Sequence, residues 1–142
     1  MVKYLDTSEL EAIRSEIMKQ ERATSGQIRV HIRTSTDTDI LVHAKTIFKK
    51  LKMRKTRLRN GVLILVDPRN RRFAIFGDEG IHKEAGDVFW RDTRDVMEKY
   101  FLKNELKQGI IEGVRSVGLK LKQYFPAQSE NINELPDEIT QD

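Results

Sequence analysis

Between "RNG" and "DPRN" the chain reads "VLILV" (residues 62–66), five apolar residues in succession. A half-exposed strand alternates polar with apolar, and an amphipathic helix breaks its stripe every few residues. A short unbroken apolar run closed by turn formers therefore predicts a central strand covered on both faces. A strand of that kind needs neighbours on either edge and helices above and below, and the flanking sequence offers both. On its far side, Pro68 and Asn70 predict a tight turn, and "RRFAIF" (71–76) returns as a hairpin strand. Upstream, "QIRVHIR" alternates, with Ile28, Val30 and Ile32 on one face and Arg29, His31 and Arg33 on the other, predicting a strand with one partly covered face.

Helical spacing fills the remainder. Ser8 and Glu11 stand at capping-box distance, and Leu10, Ile13 and Ile17 continue a helix over 8–24. Asp39 offers an N-cap for a second helix with the stripe Ile40, Ala44, Ile47, Phe48 and Leu51. Two more are predicted over 87–102 and 104–124. The last contains Gly109, Gly113 and Gly118. Each costs a helix on the order of 1 kcal/mol relative to alanine, which predicts close approach to another backbone. The sum is a three-layer α/β/α sandwich: a small mixed β-sheet of two parallel strands plus a hairpin strand, with helices on both faces.

Residues 1–126 hold all 26 Lys and Arg, whereas 127–142 carry five acids and no base. This predicts a basic domain, 1–126, followed by an acidic C-terminal tail. There is no cysteine, which excludes disulfides, thiolate metal sites and cysteine nucleophiles. No apolar stretch is long enough for a membrane span, and the N-terminus lacks an apolar signal core, so the expected location is cytoplasmic.

The two parallel strands start at Gly26 and Gly61, and the hairpin strand ends at Gly77, so three distant turns should meet at one rim of the sheet. "GDEGIHKEAGD" (77–87) brings carboxylates there. Asp78, Glu79 and Asp87 are the candidate metal ligands; Asn60, Arg57, Arg59, His82, Gly77 and Gly80 are the candidate binding residues around them. Gln27, Asn60 and the Ser25 hydroxyl add oxygen donors, so the expected cofactor is a divalent cation, calcium favoured over magnesium because it accepts many oxygens in a flexible shell. The competing reading is that these acids cap and solvate the following helices. No EF-hand pattern, phosphate-binding glycine loop, paired histidine spacing or nucleophile elbow occurs.

A family resemblance follows from "GQIRVHI", "KTRLRNG", "FAIFGDEGIH", "LKQGIIEGVRSVGLKLKQYFP" and "NELPDE" taken together. The chain resembles the TPM domain, in its short branch without signal peptide or membrane anchor, over about residues 25–139. The resemblance implies an α/β/α sandwich. Some members bind calcium or related ions, and a thylakoid-lumen member is described as an acid phosphatase. It supports Asp78 and Glu79 as ion-binding or recognition residues, with Arg57 and Asn60 beside them. Gln27 departs from the branch, which often has glutamate there, and removes one possible ligand.

Three functions are thus open: a divalent-cation module, a metal-assisted phosphatase with Arg57 or Arg59 steadying phosphoryl charge, and a binder of an anionic partner. The last rests on residues 45–59, which hold eight bases and no acid. Lys45, Lys49 and Lys52 share a helical face there and could track the phosphates of a nucleic acid, although no aromatic interleaves as a stacking platform.

Overall fold

The computed structural model describes residues 4–34, 36–86, 90–127 and 139–141. The first helix, α1 (Thr7–Glu21), is capped two residues before the expected position. Asp6, not Ser8, closes the capping box, accepting from the Glu9 amide at 2.8 Å while Glu9 accepts from the Asp6 amide at 3.1 Å. The earlier register places Leu5 and Leu10 at the two positions of a hydrophobic staple, and both join the core.

Strand β1 (Gln27–Ile32) leads through α2 (Ile40–Lys50) and a 3₁₀ turn (Met53–Lys55) into β2 (Gly61–Asp67), which turns back as β3 (Arg72–Gly77). β1 and β2 are parallel, with Gln27 opposite Gly61 and Ile32 opposite Val66; β2 and β3 are antiparallel, with Val62 opposite Gly77. At the hairpin the left-handed residue is Arg71 (φ 54°) rather than Asn70. Asn70 instead donates its backbone amide to the Asp67 carboxylate at 3.0 Å.

Three helices then follow where two were expected: α3 (Glu79–Ala85), α4 (Arg91–Leu102) and α5 (Leu106–Tyr124). The extra one is the short α3, capped by Asp78, whose carboxylate accepts from the Glu79 amide. A final short strand, β4 (Ile139–Gln141), pairs parallel with β1 and gives the sheet order β3-β2-β1-β4. The acidic segment thus returns to the sheet edge at its end, an element without a signal in the periodicity.

The two faces of the sheet bury two cores, the three-layer arrangement expected. Ile28, Val30, Val62, Ile64 and Ile75 pack under α1, α4 and α5. Leu63, Leu65 and Ala74 pack under α2. β2 is buried at all seven positions. The expectation of a partly covered face on β1 is corrected: Arg29, His31 and Arg33 are all buried. Arg33 bonds the Asp67 carboxylate and His31 Nδ1 meets the Thr140 hydroxyl of β4, so these contacts offset part of the cost of burial.

The glycines of α5 admit side chains rather than a backbone. A methyl at Gly109 would lie 2.4 Å from the Phe101 ring, and one at Gly113 2.5 Å from the Met97 sulfur, both on α4. No helix among the described residues is long and apolar enough to cross a membrane.

Candidate functional site

The three turns do meet at one rim. The Gln27 amide donates to the Asn60 carbonyl (3.4 Å), the Asp78 amide to the Gly61 carbonyl (3.0 Å) and the Gly80 amide to the Arg59 carbonyl (2.8 Å). The side chains then diverge. Asn60 turns to Ser25, donating to its hydroxyl at 3.3 Å, beside Gly26 where α5 contributes Leu121. Asp78 turns to the α2 side. Arg59 reaches it through a two-point contact, Nε to Oδ2 at 2.8 Å and Nη2 to Oδ1 at 2.9 Å.

This pairing determines the electrostatics. Asp78 is buried, and its Oδ1 also accepts from the Glu79 amide. Arg59 holds its proton more tightly than an ordinary guanidinium, chiefly through the hydrogen bond to Asp78; partial burial opposes this, and the charges of Asp78 and Glu79 assist. Arg59 Nη1 lies 3.5 Å from Glu79, whose side chain is 73% exposed. Arg59 is left-handed (φ 52°), a conformation held by the amide of Gly80 docking on its carbonyl.

Around this pair opens a cleft of about 310 Å³. Phe48 and Phe76 form apolar walls, and Lys45, Lys49, Arg54, Arg59 and His82 bring donors. Four bases face two acids, Asp78 and Glu79, so the cleft is net positive even with His82 neutral. Among the described residues Lys45, Lys49 and Arg54 make no ion pair. A positive, low-dielectric concavity concentrates anions.

Of the predicted residues, Arg59, Asp78, Glu79, His82 and Gly77 line this cleft. Gly80 fixes its floor to the 58–59 turn, and Asn60 belongs to the other face. Arg57 is exposed and does not line the cleft, and Asp87 lies outside the described residues. Arg54, Phe48 and Phe76 line the cleft but were not singled out from sequence. Arg54 was hidden in a uniformly basic run, and the two rings in apolar stripes that read as core.

As a cation site the arrangement is incomplete. Both Asp78 oxygens are engaged by Arg59, Asn60 and Ser25 face elsewhere, and no group of three potential ligands occurs among the described residues. Asp78 and Glu79 fit a divalent cation only with Arg59 displaced.

The solution structure of the BA42 protein from the psychrophilic bacterium Bizionia argentinensis is 37% identical, covers 100% of this chain and 98% of its own, and superposes with a TM-score of 0.94. Two N-terminal domains share the fold at a TM-score of 0.68. One, from P. gingivalis, is 16% identical and covers 86% of this chain and 79% of its own. The other, from Corynebacterium glutamicum, is 14% identical and covers 92% and 81%. No functionally curated protein matches the sequence. The TPM domain profile matches residues 1–119, and with the full-length likeness to BA42 it establishes that the chain belongs to the TPM domain family.

Proposed function

We propose that this TPM domain binds an anionic, phosphate-class group in the cleft between α2 and α3. The observation that carries the reading is the charge balance there: three bases without ion-pair partners among the described residues, beside an arginine held in place by Asp78. Asp78 acts as a positioning residue. It fixes the guanidinium plane by holding its Nε/Nη2 edge, while Lys45, Lys49 and Arg54 stay available to the ligand. The profile that the chain matches is named for a phosphatase, which points to a phosphoryl group among the possible anions. Hydrolysis would be a further step, for which His82 and Glu79 are the groups at the cleft able to take up a proton.

Titrating inorganic phosphate and phenyl phosphate while recording amide shifts tests the reading. Residues 45–59 and 77–82 should shift with a dissociation constant of about millimolar or tighter, weakened roughly tenfold by Lys49→Glu. Shifts elsewhere only, or no effect of that reversal, would sink it. p-Nitrophenyl phosphate as substrate separates binding from catalysis, since turnover that Asp78→Asn leaves unaltered belongs to a contaminant.

A second reading is a divalent-cation site, calcium favoured, on Asp78 and Glu79. It is favoured by the adjacency of the two carboxylates and the exposure of Glu79. One variant separates the two readings by sign. Arg59→Ala removes a donor from the anion cleft and releases both Asp78 oxygens from the guanidinium, Oδ1 keeping only the Glu79 amide. It should weaken phosphate roughly tenfold under the first reading and tighten calcium by a similar factor under the second. Calorimetry with each ion decides between them.

A further inference from the structure

The outer face of α2 is charged in a way that packing does not require. Leu41, Lys45 and Lys49 lie four residues apart along one line of the helix, with Val42 beside them, so an apolar tip runs into a basic face. Leu41 and Val42 are 55% and 56% exposed, while Ile47 on the opposite side fills the core. α2 spans about 16 Å. Past its end the chain continues through Lys52, Arg54 and Lys55 to Leu58, itself 38% exposed. The carboxylates nearest the apolar tip are occupied: Asp39 accepts the Leu41 and Val42 amides, and Asp37 accepts Arg69 and Asn70.

We propose that this face docks on an anionic lipid surface, with Leu41, Val42 and Leu58 entering the headgroup boundary and the lysines between them pairing with lipid phosphates. A basic segment favours any polyanion, but exposed aliphatic side chains at both ends favour one with an apolar layer beneath its charge. Nucleic acid would instead be served by exposed aromatic rings, and the cleft rings Phe48 and Phe76 are buried or half-buried against the sheet. The face shares Lys45 and Lys49 with the cleft but does not depend on the cleft being filled.

The test is co-sedimentation of the full chain with vesicles of phosphatidylglycerol and phosphatidylcholine in equal parts, against phosphatidylcholine alone. Binding to the anionic vesicles only is expected, falling steeply with salt. Lys50→Glu, at an exposed position in the last turn of α2 and outside the cleft lining, reverses one charge of the basic segment and should lower partition about fivefold. The double variant Leu41→Ser, Val42→Ser should lower it about tenfold while leaving phosphate shifts in the cleft intact, so loss of docking and loss of cleft binding are read separately. Both sites are exposed, and unchanged circular dichroism confirms that the variants fold. Equal binding to neutral vesicles, no binding to anionic ones, or vesicle binding indifferent to Leu41 and Val42 would each overturn the proposal. So would a single-stranded RNA oligonucleotide binding more tightly than the vesicles and losing affinity with Lys50→Glu alone.

Discussion

Replacing Asp67 by alanine should destabilise the fold by about 3–5 kcal/mol, the usual cost of leaving one member of a buried ion pair without its partner. Arg33 and Asp67 are 2% and 1% exposed and meet at 2.7 Å, Nε to Oδ2. The pair lies at the end of the parallel strands opposite the cleft, linking the residue after β1 to the last residue of β2. Arg33 also donates to the Thr38 carbonyl at 2.6 Å, and Asp67 accepts twice from Asn70 at 3.0 Å. Without the carboxylate a guanidinium remains under α2 with only the Thr38 carbonyl and, at 3.3 Å, the His43 Nδ1 beside it, neither of which carries a compensating negative charge. Urea unfolding followed by the single tryptophan, Trp90, which is buried beside Gly77, measures the loss. The joint replacement Arg33→Met, Asp67→Leu should recover most of it, because an apolar pair of similar size carries no desolvation cost.

The same pair gives the acid limb of stability a sign. Burial alone would push the Asp67 carboxyl up, but hydrogen bonds from Asn70 and Arg33, with the Arg33 charge, outweigh it and hold the group below the usual carboxylate range. A carboxyl whose folded value is depressed contributes stability in full above its unfolded value. That contribution is lost as pH falls from about 4 through the folded value. Asp67→Asn should therefore unfold at a lower urea concentration at neutral pH, yet lose less on further acidification than the wild type.

Neither Arg33 nor Asp67 stood out in the sequence, and the reason is general to the chain. Alternation in "QIRVHIR" reports which residues share a face but not whether that face is covered. The cover comes from α2 and from three residues of β4 that lie more than a hundred positions away. Backbone topology was legible because an apolar run, a helical crossover and a tight turn leave one arrangement for β1, β2 and β3. The meeting of Gly26, Gly61 and Gly77 at one rim followed from it. Side-chain direction at that rim was not legible. A strand flips direction with every residue, so Asn60 and Asp78 share a rim yet open to opposite faces of the sheet. The expected cage of oxygens thereby became an arginine–aspartate pair facing a basic cleft. The short α3 was missed because its cap, Asp78, read equally well as a ligand.

Gly80→Ala should be the variant that couples fold and site most strongly. A Cβ there would lie 2.2 Å from the Leu58 carbonyl oxygen and 2.6 Å from that of Arg59. Both are backbone atoms, so no side-chain rotation relieves the contact. The start of α3 must move away from the 58–59 turn, breaking the 2.8 Å bond from the Gly80 amide to Arg59, at about 3 kcal/mol. Because alanine already carries the offending atom, valine should add little. Movement of α3 takes Asp78 with it, and the two-point contact with Arg59 depends on the separation of these elements. Arg59→Ala should therefore lower the urea midpoint less in the Gly80→Ala background than in the wild type, a non-additivity that a double-mutant cycle reads directly. Gly77→Ala provides the contrast, since its nearest neighbours, side-chain atoms of Ile81 and Trp90, are 3.3 Å away and free to adjust. If the cycle is additive, the Gly80 contact does not hold Arg59 and Asp78 together, and the positioned guanidinium at the centre of the cleft has another cause.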